Sequence, residues 1–449
     1  MISIPTIQNN VNKANQDPKN GVLFQSSDPS KECSTGKLSI EAENGGLSPY
    51  LEYNAGTRGD FESSLGMSTK SCNPDKEERQ ARKQKRKRNQ GLARKLVGGR
   101  LESCGRVPVP VMINGELVRI PSESRSVTIL KNGENYSFGG LMHCGSVWCC
   151  PECASMITEY RRNELKLACE NAISEGLHIS MLTLTVPHYA KDRLQDVLDG
   201  ISSALRKFKN RKAFKRLAQE IGLVGNIRTL EVTYGENGWH PHFHILLFTK
   251  SEFSQQELFS IKENLLSQWQ SACVSSGLPV PNNHGLDLVN GEWAAAYVTK
   301  WGIEEEMTKG HLKQGIKEGH VSPFGLLDLY NQGDQGDENA GRRFQEFAKV
   351  FKGKRQLVWS KGLRELLKVG EQKPDEEIIN EIENASVEVM KISFSDFQQI
   401  MKYEKETEFL CKICPKGKDA IMAFIDNLYK LEGRGRQPRP LTERTNLKH

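Results

Sequence analysis

GWHPHFHILLF, residues 238 to 248, decides both the fold and the chemistry of this chain. Its first half alternates, and alternate side chains of a β-strand share a face, so His240, His242 and His244 point one way and Phe243 the other. A second strand-like run, Asn226 to Tyr234, precedes it across the turn sequence GENG (235 to 238), and the two should form an antiparallel hairpin. Two neutral imidazoles placed as His242 and His244 can hold a divalent cation, Mg²⁺ or Mn²⁺, with positions left open for a phosphate oxygen. Glu231, on the partner strand, offers the hard oxygen such ions prefer as a third ligand; His240 has the same parity but lies nearer the turn. The bland alternative is a set of histidines lining a sheet. Three of the chain's ten histidines within five residues weigh against it.

Outward from the hairpin, HISMLTLTVP (178 to 187) alternates and ends at proline, as a half-buried strand does. A basic amphipathic helical region follows over 190 to 220; within it Leu205 to Leu217 interleaves seven Lys/Arg with Phe208 and Phe214. That pattern gives a surface helix with its phenylalanines in the core and a basic face able to meet phosphates. Glu257 to Val274 is helical in pattern, and EWAAAYVTKW (292 to 301) is alanine-rich and helix-prone. QGDQGDENAG (332 to 341) is linker sequence, and from Pro374 onward two or three amphipathic helices precede a basic Pro/Gly-rich tail. The expected fold is therefore α+β: a central antiparallel sheet with flanking helices on one face and the histidine strand near its middle. The expected divisions are a disordered tail (1 to 78), a basic segment (79 to 100), a cysteine-rich element with a helix (101 to 170), the sheet domain (171 to 367) and a helical accessory region (374 to 449).

Eleven cysteines are unevenly spread, with Cys144, Cys149, Cys150 and Cys153 in one short segment. Cys150-Pro-Glu-Cys153 has knuckle spacing, Cys144 lies just before it, and Cys104 could close a structural Zn²⁺ site from a distant half-site. His143 and Cys149 compete as ligands, reduced core cysteines are the plain alternative, and Cys411 and Cys414 read as bystanders. Nothing at the start resembles a signal peptide and no run is apolar enough for a bilayer, so a cytoplasmic location is expected.

The net charge of +6 is concentrated: Arg79 to Arg100 holds ten Lys/Arg and no acid, leaving the remainder at −4. Arg82, Lys83, Lys85, Arg86, Lys87 and Arg88 form its densest part, a candidate DNA-binding segment acting through phosphate contacts; a solvated tether is the alternative. Lys352, Lys354 and Arg355 invite a similar reading.

Tyr297 sits on the alanine-rich stretch with Lys300 and Trp301 on its own side. A tyrosine can attack a phosphodiester and keep the strand covalently, while a metal and Lys300 offset negative charge. Alone it would be a packing residue; its company gives it weight. LTLTVPHY (182 to 189), GWHPHFHILLF (238 to 248) and AAYVTKW (295 to 301) occur in the order found in plasmid rolling-circle replication initiators, the Rep proteins of the HUH endonuclease superfamily, which this chain resembles. CGSVWCCPECA (144 to 154) and KGKRQLVWSKGLRELL (352 to 367) extend the resemblance over most of residues 100 to 367. It implies that His242 and His244 are paired metal ligands and that Tyr297 is the nucleophile, giving a 5′-phosphotyrosine and a free 3′-hydroxyl at a plasmid origin. It also implies a host helicase, single-strand-binding protein and polymerase as partners, with no membrane. Some relatives carry a catalytic glutamate one turn before the tyrosine; Trp293 stands there in this chain, and Glu292 is the nearest candidate for a termination base. A transposase or relaxase would use the same chemistry, and a non-enzymatic zinc-containing DNA-binding regulator would leave HPHFH and YVTKW unexplained.

Overall fold

The structure, a computed structural model, describes residues 76 to 113, 116 to 118, 125 to 290, 320 to 331 and 336 to 433. In chain order its main elements begin with α1 (Lys76–Val97), β1 (Val111–Ile113), β2 (Glu116–Val118), β3 (Ser126–Asn132) and β4 (Asn135–Gly139). Then come α2 (Pro151–Ser174), β5 (His178–Leu184), α3 (Leu194–Asn210), α4 (Lys212–Glu220), β6 (Leu223–Gly235) and β7 (Gly238–Thr249). The chain continues through α5 (Gln255–Val274), β8 (Leu286–Val289), α6 (Pro323–Tyr330), α7 (Glu338–Phe351) and β9 (Leu357–Trp359). It closes with α8 (Asp375–Asn384), β10 (Val387–Ser393), α9 (Phe394–Lys402) and α10 (Lys418–Lys430).

The class is α+β. The principal sheet is antiparallel throughout, in the order β8-β5-β7-β6-β9, so the histidine strand β7 is central. Gly235 pairs with Gly238 across the hairpin turn. Gly238 has φ +84°, and a Cβ there would meet the Tyr189 carbonyl oxygen at 2.9 Å, so glycine is needed on both counts.

Helices cover both faces of this sheet rather than one. On one side Phe243, Ile245 and Leu247 pack with Ile201, Phe208 and Trp269 from α3 and α5. On the other, Leu246 and Phe248 pack with Leu165, Ala168 and Cys169 of α2. This explains why β7 alternates only at first: Ile245 to Thr249 are all buried, whereas His240, His242 and His244 are half-buried. Helix α2 packs against the far half of that face. The basic stretch from Leu205 to Leu217 is two helices, broken at Arg211, where ψ is 139°. Its phenylalanines do pack inward, Phe208 and Phe214 at 4.8 Å between ring centres.

Two expectations need correction. Residues 387 to 393 form the strand β10, which pairs with β3, far earlier in the chain, to give the sheet β10-β3-β4. Ile129, Phe138, Ile392, Phe397 and Ile425 share one core beneath it, so the C-terminal region folds onto part of the cysteine-rich element rather than standing alone. Second, of the two readings of the basic segment the solvated tether fails, because the segment is a docked helix. Asn89, Gln90 and Ala93 of α1 are buried, and four of its cations pair with acids far away in sequence. Lys85 and Arg88 pair with Asp328 at 3.0 and 3.1 Å, and Arg86 pairs with Glu152 at 3.1 Å. Lys87 bridges Glu152 (3.2 Å) and Glu406 (2.8 Å), Lys83 donates to the Tyr136 carbonyl, and Arg82 pairs with Glu78.

Burial alone would raise the Glu152 pKa, but Lys87, Arg86 and Lys83 outweigh it and hold the carboxyl at about 2, below its ordinary 4.5. A folded-state pKa below the unfolded one stabilises fully above pH 4.5 and loses that contribution as pH falls toward 2. Lys87→Met should therefore cost about 3 kcal/mol at neutral pH, because it leaves two carboxylates short of a partner. In urea titrations the difference from the wild type should shrink as pH drops from 4.5 toward 2. A cost under about 0.5 kcal/mol, the surface norm, would show that these pairs are merely solvated contacts.

Candidate metal and strand-transfer site

The pairing of β6 with β7 sets Glu231 directly opposite His242 and Thr229 opposite His244. Glu231 Oε2 lies 3.1 Å from His242 Nε2 and 3.2 Å from His244 Nε2. The three ligand atoms lie within 4.8 Å of one another, close enough to share one ion. The outer nitrogens are also held. His244 Nδ1 is 3.1 Å from Thr183 Oγ1 on β5, and His242 Nδ1 is 3.4 Å from the His240 carbonyl oxygen. Such partners fix the ring orientation and leave Nε2 facing the shared centre.

His240 is turned to other work. Its Nδ1 is 2.7 Å from Nε2 of His188, whose own Nδ1 reaches the Asn237 carbonyl at 2.8 Å. Burial first, then His242, His188 and His320, lower the His240 pKa to about 3. At His242 burial acts in the same direction, but the Glu231 carboxylate more than reverses it and raises the pKa. The geometry thus favours Glu231 over His240 as the third ligand. Sequence reasoning misses the contact of His188 with His240, though His188 ends the motif LTLTVPH; strand parity says nothing about a loop residue that folds back over the turn.

The second cluster is sulfur. Cys104, Cys144, Cys150 and Cys153 are buried, free of disulfides, and have Sγ atoms within 4.8 Å of one another. The separations 104–150, 104–153 and 144–153 are 3.7, 3.5 and 3.7 Å. A tetrahedral zinc with bonds of about 2.3 Å puts its sulfurs about 3.8 Å apart, so the donor set and spacing fit Zn²⁺. Hydrogen bonds from Cys144, Cys150 and Cys153 pull the Cys104 thiol pKa down, while those of Cys144 and Cys153 are pushed up; four crowded thiols can ionise together only with a cation among them. Helix α1 supports the cluster: Gln90 Nε2 donates to the sulfurs of Cys104 (3.5 Å) and Cys150 (3.4 Å), and Arg94 donates to the Cys104 carbonyl. Of the competing ligands, His143 is bound to Glu383 at 2.9 Å with its other nitrogen 3.9 Å from Cys153 Sγ, and Cys149 turns toward the Ala348 carbonyl. Cys411 and Cys414 join no metal-competent group among the described residues.

Tyr297, Lys300 and Glu292 lie outside the described residues. The cations Arg82 to Arg88 lie together on α1, each with the internal partner given above. No helix among the described residues is long and apolar enough to cross a membrane.

An antiparallel sheet in an α+β fold, with an acid and two histidines converging at its centre, and a separate four-cysteine cluster give this protein two places suited to metal. A profile of the replication protein family Rep_1 matches residues 142 to 408, more than half of the chain. The chain belongs to that family. It is 27% identical over 293 residues to the Protein rep of Streptomyces lividans, covering 51% of this chain and 64% of the relative. It is 30% identical over 170 residues to a neomycin resistance protein of Streptomyces cyanogenus, covering 31% and 39% of the two chains. It is 31% identical over 94 residues to the Protein rep of Staphylococcus aureus, covering 20% and 38%. The chain thus spans less than two thirds of the length of each of these relatives. No solved structure matches it.

Proposed function

We propose that this protein initiates plasmid rolling-circle replication as an HUH-type endonuclease, nicking one strand at an origin and rejoining it through a covalent 5′-phosphotyrosine. The convergence of Glu231, His242 and His244 in a chain of the Rep_1 family carries the reading. A Mg²⁺ or Mn²⁺ ion bound there would supply Lewis acidity at the scissile phosphate. The protein's part is to hold the imidazoles rigidly through Thr183 and the hairpin register. Tyr297 is the proposed nucleophile. Its phenol gives up its proton as the oxygen bonds to phosphorus and the P–O3′ bond breaks, and the departing 3′-oxygen takes up one proton to become the primer hydroxyl, so no net proton is gained or lost. Lys300 offsets phosphate charge, and Glu292 is the proposed base for water at termination. Attack of a new 3′-hydroxyl on the phosphotyrosine reverses the exchange and closes the circle. The four-cysteine cluster would hold Zn²⁺ as a structural ion, with origin DNA, a host helicase, a single-strand-binding protein and a polymerase as partners.

The test is to incubate the full chain with a library of labelled single-stranded origin sequences and Mn²⁺, then map the adduct. The expected result is one covalent 5′ end on Tyr297, absent from Tyr297→Phe, which should keep at least half of the wild-type DNA binding because only one oxygen is lost. A labelled end on another tyrosine of the wild type would refute the assignment.

A further inference from the structure

Arg82, Lys83, Lys85, Arg86, Lys87 and Arg88 of α1 have internal partners, and a second group of cations lies elsewhere. Lys349, Lys352, Lys354 and Arg355, at the end of α7 and in the turn after it, have no acid within ion-pair distance among the described residues. They line a cleft of about 950 Å³ whose wall also includes Arg100, Arg161 and Lys373, against only two acids, Asp375 and Glu376. Asp375 pairs with Arg161, Glu376 with Arg100, and Lys373 with Glu381, so the excess among the described residues is Lys349, Lys352, Lys354 and Arg355. A cleft with this imbalance concentrates polyanions.

Its ends are informative. One wall is the Cys144–Cys149 loop of the four-cysteine cluster, where the Trp148 indole donates to the Lys354 carbonyl at 2.7 Å and fixes the turn. At the other end the chain enters β9, with Leu357 opposite Thr229 and the Leu230 amide donating to the Gln356 carbonyl at 3.2 Å. The cleft therefore runs from the start of β9, which pairs with the strand β6 that carries Glu231, to the loop of the cysteine cluster.

We propose that this cleft takes the sugar-phosphate backbone of single-stranded DNA flanking the scissile phosphate, with Lys352, Lys354 and Arg355 as its phosphate contacts. The inference rests on the strand-nicking reading above and adds the path of the strand. Contacts to phosphate carry no sequence information, so this cleft supplies affinity and alignment, and origin choice is made elsewhere.

The experiment uses the full chain and a fluorescent oligo(dT) of about 20 nucleotides, with binding followed by anisotropy across a salt series. K352A/K354A/R355A should weaken binding at about 0.15 M salt by roughly 30-fold and flatten the slope of log K against log salt by about 2, since each phosphate neutralised on a single strand adds about 0.7. Circular dichroism matching the wild type keeps the comparison one of binding. K85A/R88A on α1 should leave the slope within about 0.5 of wild type, since Asp328 already holds those cations. An unchanged slope in the triple variant, or a loss confined to the α1 variant, overturns the proposal. Adduct formation on Tyr297 is scored separately. Wild type that forms the adduct while the triple variant keeps its slope removes only the cleft; salt-dependent binding through the cleft without any adduct removes only the nicking chemistry.

Discussion

Replacing His242 and His244 together by alanine is expected to lower divalent-ion-dependent cleavage of single-stranded origin DNA by at least about 10⁴-fold. Removal of Lewis-acid assistance at a phosphodiester costs several kcal/mol of transition-state stabilisation, and about 1.4 kcal/mol is tenfold in rate. The fold should survive. Both side chains are half-buried, whereas β7 is anchored by the buried Phe243, Ile245, Leu246 and Phe248, which keep their partners on both faces. The change should therefore cost less than about 2 kcal/mol by urea titration, with wild-type circular dichroism. Glu231→Gln tests the same centre from the opposite strand: it keeps the volume and removes the charge. It should weaken Mn²⁺ binding, measured by calorimetry, by at least about 10-fold, the scale seen even for groups that only support a ligand. Undiminished cleavage by the double histidine variant would end the metal reading. Lost cleavage with unaltered Mn²⁺ affinity would move the ion away from these residues.

How far this site can be read from sequence depends on what each residue needs to know about its surroundings. The pairing of Glu231 with His242 and His244 is legible because a tight hairpin fixes register and strand parity fixes direction, both local properties. The four cysteines are legible for a similar reason: the spacing Cys150-Pro-Glu-Cys153 is a helix N-terminal knuckle, and only Cys104 requires a guess about distance. The basic run looks free in sequence because its neutralising partners, Glu152, Asp328 and Glu406, lie dozens to hundreds of residues downstream. Charge in sequence shows how much must be balanced, not by what. VEVMKIS reads as helix since a bulge between Glu388 and Met390 breaks its alternation, and its partner β3 lies in a region assigned to another division. The second helical layer escapes notice because ILLF is buried on both faces, and a continuous apolar run does not say what covers it. Tyr297 stands out through its motif alone.

Cys150→Ser is expected to be the most damaging single change in the described fold, lowering the melting temperature by tens of degrees or leaving the protein insoluble, with its zinc gone. Binding of a structural zinc contributes about 10 kcal/mol or more to folding of small zinc modules at neutral pH, which exceeds the whole stability of many domains. Serine is a sound choice of probe. Cys150 is the N-cap of α2, its sulfur accepting from the Cys153 amide, and serine caps helices well, so loss of the cap cannot explain the damage. What serine cannot do is supply a thiolate. The consequence would spread through α1, since Gln90 contacts Cys104 and Cys150, and from there to the acids that α1 neutralises. Wild-type protein should carry about one tightly held Zn²⁺ per chain, apart from the exchangeable ion at Glu231, His242 and His244. Thiolates favour zinc, while two imidazoles and a carboxylate suit a harder, more labile ion, so chelators should separate the two. Brief treatment with dilute EDTA should stop cleavage, with recovery on adding Mn²⁺ or Mg²⁺, and elemental analysis should find the zinc still in place. A soluble, cleavage-competent preparation without zinc would make these four cysteines ordinary residues of the core.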